Sequence, residues 1–284
     1  MPHNYRAELT GVFGDPVDGN PTGVMEEAAY RAKGLNFRYI TMRVTPEHLK
    51  AAFEGAKAIG MRGVNLTMPH KIMIIPYLDR LTEAAGIIGA VNTVYEKDGQ
   101  WIGENTDGKG FVEALLHAGG TLSGARITIL GAGGAARAIA VECALSGAAH
   151  VTVVNRNEQR GQELVAVLQE KARVAADFIH WEARQAIPAD TDILIQATSV
   201  GLHPHDEDKP DIDYDTITAG MTACDVVFNP AVTAFLKEAG ARGAKCVGGL
   251  GMLARQGALN FTLWTGEAAP VDVMEAQLRK EFEK

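Results

Sequence analysis

Cysteine is scarce in this chain, with three in 284 residues. Cys143, Cys224 and Cys246 stand far apart, with no CxxC pair and no metal-ligand spacing. An odd, scattered count without a signal-peptide-like apolar segment reads as reduced thiols in a cytoplasmic protein, packed as small core residues. Long apolar runs are missing too; none approaches the roughly 20 residues needed to cross a bilayer. Positive charge is in deficit, since 27 Lys and Arg against 35 Asp and Glu leave a formal net charge of −8. That balance argues against a nucleic-acid or anionic-membrane surface, although a small anionic substrate could still be held by local groups. There are no internal repeats, and no tail has a disordered composition. What remains is globular, 46% hydrophobic and 22% charged, and its length suits two domains.

The most informative stretch is Arg126-Ile-Thr-Ile-Leu-Gly-Ala-Gly-Gly-Ala-Ala-Arg137. A short apolar run ends in Gly131-x-Gly133-x-x-Ala136 and passes into an alanine-rich helical segment, the strand–turn–helix context of a dinucleotide fingerprint. Gly131 permits a tight turn, Gly133 lets backbone approach a pyrophosphate, and Ala136 allows close helix–strand packing. The phosphates would sit on free N–H groups at the helix N-terminus. One helix later the strand Val151–Val154 ends in Asn155-Arg156, with Arg160 a turn further. NAD sites usually place an acid there for the ribose 2′-hydroxyl, whereas Arg accommodates a 2′-phosphate. The pattern reads as NADP binding in preference to an ordinary βαβ turn with a solvated Arg pair.

Strands alternate with helices throughout, which predicts an α/β protein. Leu9–Phe13 reads as a first strand, Thr22–Lys33 as a helix stopped by Gly34, and Phe37–Val44 as a second strand. A helix starts at Thr45-Pro46 and runs to about Ile59, and Gly63–Thr67 is a third strand. Ala90–Tyr95 and Gln100–Gly103 flank Lys97-Asp98-Gly99 as a hairpin. The later strands are Arg126–Leu130, Val151–Val154, Asp177–Trp181, Ile193–Ala197, Ala223–Phe228 and Lys245–Val247. His203–Asp211 reads as a charged surface loop, with solvation favoured over a metal site. Met252–Lys284 is helical, interrupted near Pro270. The expected organisation is an N-terminal α/β substrate domain (1–106, completed by 250–284) and a doubly wound Rossmann-type NAD(P) domain (107–249).

A dinucleotide domain carries no substrate chemistry of its own, so the first domain must supply it. Two polar clusters stand out, Asn65-Leu-Thr-Met-Pro-His-Lys71 and Gly103-Glu-Asn-Thr-Asp-Gly108. A Lys beside an Asp near a nicotinamide can orient a hydroxyl and exchange its proton during hydride transfer. Taken singly, Lys71 is equally readable as a solvated lysine and Asp107 as a helix N-cap.

These motifs together resemble shikimate and quinate dehydrogenases over essentially the whole chain. The resemblance rests on Gly14-Asp-Pro16, Asn65-x-Thr67-x-Pro69-x-Lys71, Ala90-Val-Asn-Thr93, Glu104-Asn-Thr-Asp-Gly108, Gly131-Ala-Gly-Gly-Ala135, Asn155-Arg156, Ala197-Thr198-x-x-Gly201 and Gly249-Leu-Gly-Met-Leu-x-x-Gln256. The stretch from Gln256 to Gly266 is similar to the dual quinate/shikimate subgroup. The resemblance implies a catalytic pair, Lys71 and Asp107, with Thr67, Asn92 and Gln256 on the substrate's ring hydroxyls. It implies a pyrophosphate cradle of Gly131, Ala132, Gly133, Gly134 and Ala135. Asn155, Arg156 and Arg160 would face the adenosine ribose, and Thr198, Val226 and Gly249 the nicotinamide end.

Two departures qualify the resemblance. In the family a Ser-x-Ser pair and a Tyr hold the substrate carboxylate; the corresponding positions here are Asn20, Thr22 and Phe228. NADP enzymes of the family also usually continue Asn-Arg-Thr, where this chain reads Asn155-Arg156-Asn157-Glu158; NADP is thus preferred, with NAD possible. The expected function is reversible hydride transfer between NAD(P) and a ring hydroxyl of shikimate, quinate or a related cyclic polyol acid, by a monomer or homodimer. The alternatives are a dehydrogenase of a cyclitol or aminocyclitol lacking the carboxylate, and a non-catalytic cofactor sensor. Retention of Lys71, Asp107, Asn92 and Gln256 argues against the sensor.

Overall fold

The computed structural model describes residues 5–282. They divide into two compact units, residues 5–106 with 256–282, and residues 107–255. The boundary read from sequence at 249/250 coincides with the start of a helix, Gly249–Thr265, and the division between units falls inside that helix.

The first unit opens with β1 (Glu8–Gly14), α1 (Thr22–Ala32), β2 (Phe37–Arg43), α2 (Leu49–Ala58), β3 (Gly63–Leu66) and the short α3 (His70–Met73). It continues through β4 (Arg80–Leu81), α4 (Glu83–Ile88), β5 (Thr93–Lys97) and β6 (Gln100–Glu104). The strands form one sheet in the order β2-β1-β3-β5-β6-β4. β1 lies parallel to β2 and β3, whereas β5 is antiparallel to β3 and β6. Phe13, Phe53, Val64, Leu66 and Val94 are among the side chains buried in its core. The β5–β6 turn has Asp98 at φ 54° and Gly99 at φ 77°, the positive pair that a two-residue hairpin needs. The helix read from Thr45 begins as a 3-10 turn over Pro46–His48 and becomes α-helical only at Leu49. Thr45 gives no cap because its hydroxyl pairs with the His48 ring at 2.9 Å. The short helix expected where the third strand ends is α3, whereas the sequence pattern does not announce β4 and α4; at two and six residues they are too short to display a period.

The second unit contains α5 (Thr106–His117), β7 (Arg126–Leu130), α6 (Gly134–Leu145), β8 (His150–Asn155), α7 (Glu158–Glu170) and β9 (Ala175–His180). Then come β10 (Gln185–Ala186), β11 (Ile193–Gln196), β12 (Ile212–Asp213), β13 (Thr222–Asp225), α8 (Ala234–Ala241), β14 (Lys245–Val247) and the start of α9 (Gly249–Thr265). β10 and β12 pair as a separate two-stranded ribbon. The main sheet is parallel throughout, in the order β14-β13-β11-β7-β8-β9. Strand order therefore reverses between β7 and β11, and in such sheets ligands bind outside the strand ends at that point. The sixth residue expected on β13, Phe228, lies beyond the strand. Asp225 ends it, because its carboxylate accepts from the Val227 N–H at 2.9 Å and turns the chain.

The C-terminal part of α9 and the final helix α10 (Val271–Phe282) belong to the first unit. Tyr30 of α1 stacks on Phe261 with centroids 5.4 Å apart, and a Cβ at Gly257 would meet Met25 at 2.2 Å. Close helix packing thus explains an otherwise helix-weakening glycine.

Candidate active site and coenzyme cradle

In the first unit, the ends of β1 and β3 are drawn together. The Asp15 N–H donates to the Met68 carbonyl and the Thr67 N–H to the Phe13 carbonyl, at 2.9 and 3.0 Å. A Cβ at Gly14 would meet the Thr67 methyl at 2.3 Å, so the small residue brings Thr67 over the end of β1. Lys71 lies in α3, half-buried, and its carbonyl accepts from the Val91 N–H at 2.8 Å, next to Asn92. His70 anchors this turn from below, fully buried with Nε2 2.6 Å from the Val44 carbonyl.

Asn92 and Gln256 are held by a buried amide network. Asn92 Oδ1 accepts from the Thr106 N–H at 2.7 Å, and Asn92 Nδ2 donates to the Thr106 hydroxyl at 3.0 Å. Asn260, wholly buried, accepts from the hydroxyls of Thr93 and Thr106 at 2.6 and 2.9 Å and donates to Gln256 Oε1 at 3.1 Å. Asn65 donates to the Asn92 carbonyl and to Thr93, and accepts from the Tyr39 phenol at 2.8 Å. Buried polar groups so completely satisfied are rigid, and rigid donors and acceptors are what discriminates among the hydroxyls of a polyol. Asp107 follows directly, in the first turn of α5, half-buried. It lies inside the helix rather than at the N-cap.

In the second unit, Gly131 ends β7 at φ 111°, and a Cβ there would lie 3.0 Å from the Ala197 carbonyl and 3.1 Å from the Thr198 methyl. Only glycine serves, and Thr198 is thereby placed beside the loop. Gly133 is the N-cap of α6 and offers no side-chain cap, and a Cβ at Gly133 or Gly134 would project into open space. Uncapped first-turn N–H groups beneath an open approach fit a pyrophosphate. Thr198 is oriented by Gln196, whose Oε1 accepts from its N–H at 2.5 Å and its hydroxyl at 2.8 Å. Gln196 Nε2 in turn donates to the Val200 carbonyl and to Asp225. Burial pushes the Asp225 carboxyl up to about 6, against hydrogen bonds from Thr233 and Val227 that pull it down. Val226 follows, and a Cβ at Gly249 would meet its carbonyl at 2.5 Å.

At the end of β8, Asn155 Nδ2 donates to the Asn157 carbonyl at 2.7 Å, and Asn157 caps α7 through the Arg160 N–H at 2.9 Å. Arg156 and Arg160 are exposed, and Arg156 lines a groove of about 600 Å³ with Asn157, Glu158 and His180. The Glu158 carboxylate is engaged by Gln162 at 2.9 Å on its own helix. Arg156 and Arg160 are the cations at this strand end that could pair with a 2′-phosphate, although the groove also carries Glu158 and Glu163.

Asn20 and Thr22 sit at the start of α1. Asn20 is half-buried and accepts from the Thr22 N–H at 3.0 Å, and Thr22 is buried. Phe228 is half-buried, three residues past β13. Sequence reasoning passes over Tyr39, Asn260, Gln196 and Asp225 as working residues. Asn260 has a signal, a polar residue four positions after Gln256 on an otherwise apolar helix face; the others acquire roles only through tertiary contacts. Among the described residues no group of three or more His, Cys, Asp or Glu could hold a metal, and His203 pairs with Asp206 at 3.1 Å. No helix there is long and apolar enough to cross a membrane.

Three family models match the chain: a shikimate dehydrogenase substrate-binding domain over residues 12–94, shikimate/quinate 5-dehydrogenase over 113–204, and a shikimate 5′-dehydrogenase C-terminal domain over 249–279. A shikimate dehydrogenase (NADP+) of Desulforamulus reducens is 41% identical over 284 residues, 99% of this chain and 98% of the relative. A solved 5-ketofructose reductase of Gluconobacter sp. superposes with TM-score 0.95 at 42% identity, covering 98% of this chain and 100% of that one. A shikimate dehydrogenase solved with NADP+ gives TM-score 0.91 at 37% identity, covering 99% and 98%.

Proposed function

The chain belongs to the shikimate/quinate dehydrogenase family and is an NADP-linked oxidoreductase acting on a CH–OH group, and from that premise we propose how its residues share the reaction. The substrate is a small cyclic polyol or its ketone, of the kind shikimate and quinate represent. Thr67, Asn92 and Gln256 hold its hydroxyls, and Lys71 and Asp107 meet the reacting oxygen. In oxidation the C–H electron pair leaves as hydride while the O–H proton passes to the Lys71–Asp107 pair, leaving a carbonyl; reduction is the reverse. Lys71 steadies negative charge developing on the oxygen and Asp107 relays the proton. Bound NADP supplies the hydride acceptor or donor. Gly131 to Ala135 cradle its pyrophosphate, Asn155, Arg156 and Arg160 its ribose phosphate, and Thr198, Val226 and Gly249 its nicotinamide end. NAD is a weaker alternative, since Glu158 is engaged elsewhere. A cytoplasmic monomer or homodimer with domains at 1–106 plus 250–284 and at 107–249 completes the proposal.

The observation that carries this reading is the preformed network through Asn260, Asn92 and Gln256. A protein that merely sensed the coenzyme would need none of it. The test is Lys71→Ala. Turnover of the best substrate should fall at least about 10²-fold, the lower end for a positioned proton-transfer group, with NADP affinity little changed by calorimetry. Near-full turnover would remove Lys71 from the mechanism.

A further inference from the structure

Asn260 is an unusual residue for its place. It is wholly buried on α9, where the nearby buried positions Ala258, Phe261 and Trp264 are apolar and an apolar side chain would cost less to bury. Its hydrogen bonds have a direction, and Asn65 fixes it. Asn65 Nδ2 donates to the Asn92 main-chain carbonyl at 3.1 Å; a carbonyl only accepts, so this end of the amide is the N–H end. The same Nδ2 donates to the Thr93 hydroxyl at 2.7 Å, and Oδ1 accepts from the Tyr39 phenol at 2.8 Å. Having accepted from Asn65, Thr93 gives its one proton to Asn260, at 2.6 Å. The atom it meets must be Oδ1, which the Thr106 hydroxyl also reaches, at 2.9 Å. Asn260 is thereby left with Nδ2 toward Gln256, one helical turn back, and donates to Gln256 Oε1 at 3.1 Å.

The bonds thus run head to tail from Tyr39 through Asn65, Thr93 and Asn260 to Gln256, each polarising the next. Gln256 cannot turn its amide over without setting its own N–H against that of Asn260, a buried meeting of two donors. Resting on the reading that Gln256 holds a substrate hydroxyl, we propose that Asn260 is a positioning residue for the reaction. It grips Gln256 by the carbonyl, so that Gln256 meets the substrate with its amide N–H and the hydroxyl received there accepts through an oxygen lone pair. A glutamine without such a partner offers an oxygen or an N–H as the ligand demands. Held by Asn260 it offers only the N–H, and a polyol is accepted in the pose that places a lone pair against it.

A double-mutant cycle in the full chain tests this, on kcat/KM for shikimate, quinate or inositol, whichever is oxidised fastest with NADP. Gln256→Met keeps the length of the side chain without its polar end, and Asn260→Leu keeps the volume without donor or acceptor. Each should lower kcat/KM about tenfold, the upper end for one neutral hydrogen bond, through KM more than kcat and with NADP affinity unchanged. Once Gln256 is gone Asn260 has nothing left to position, so the double variant should fall no further than Gln256→Met alone. Losses that multiply, or a parental kcat/KM in Asn260→Leu, overturn the proposal and leave the reading of Gln256 standing. A parental kcat/KM in Gln256→Met, or turnover of none of the three polyols with NADP binding intact, overturns that reading and this inference with it. Gln256→Glu probes the orientation itself. A carboxylate still accepts from Asn260 but has no N–H to give, so it should lose as much as Gln256→Met, and parental kcat/KM in this variant overturns the assigned orientation. Should thermal unfolding show that Asn260→Leu does not fold, Asn260→Ser takes its place in the cycle, with a hydroxyl for Thr93 and Thr106 that stops short of Gln256.

Discussion

Replacing Asp225 by asparagine should change how stability depends on pH, by an amount the structure specifies. The Asp225 side chain is buried at the end of β13, accepting from the Val227 N–H, the Thr233 hydroxyl and Gln196 Nε2. Burial outweighs these bonds and raises its carboxyl from 3.8 to about 6. At 1.36 kcal/mol per pH unit the difference is worth about 3 kcal/mol. The sign follows from which state ionises first. Below pH 3.8 the group is protonated folded and unfolded, and its contribution to stability is complete. As pH rises toward 6 the unfolded chain gives up its proton first, so stability falls, and the loss is fully developed above the folded value. The amide of Asp225→Asn cannot ionise, and it can still accept from Val227 and Gln196 while the bond to Thr233 changes direction. Relative to the parent, the variant should therefore gain stability steadily with pH, with about 1.5 kcal/mol of the total appearing between pH 5 and 7.5. Urea denaturation of both proteins across that range measures it. Parallel curves, with no change in the difference over that interval, would refute the claim that burial governs this carboxyl.

Two further changes test the coenzyme cradle. Arg156→Ala should weaken NADP by about 1.5–3 kcal/mol, the value of hydrogen bonds to a charged group, and leave NAD binding nearly unchanged; equal losses by calorimetry would take Arg156 off the 2′-phosphate. Gly131→Ala forces a side chain into φ 111° and to 3.0 Å from the Ala197 carbonyl. It should cost about 1–3 kcal/mol of stability, read by thermal unfolding, and weaken either coenzyme; a variant of parental stability would mean that the loop relaxes.

Much of the second unit is legible in the sequence because its signals are local. Apolar runs such as Ile193-Leu-Ile mark strands buried on both faces, and the glycines of the 131–134 turn declare a backbone conformation rather than a contact. The boundary errors have equally local causes. β13 stops at Asp225 because a side chain captures a backbone N–H two residues on, and the stretch after Thr45 coils as a 3-10 turn because His48 takes the capping hydroxyl. Neither choice is visible in hydrophobic periodicity.

The substrate end divides along the same line. Two short polar clusters at the ends of predicted strands, where α/β sheets bind ligands, single out Lys71 and Asp107, and the family resemblance adds Thr67, Asn92 and Gln256. What each group has left to offer is a different matter. Asn260 reaches Thr93 across 167 positions, and Tyr39 and Asn65 come together from two separate strands. A hydrogen atom can be given only once, so whether a buried amide or hydroxyl such as Asn65 or Tyr39 has a donor left to offer depends on neighbours that folding alone supplies. Chain order thus determined which polar groups exist and where the backbone turns, and tertiary structure decided which of their protons remain for a ligand.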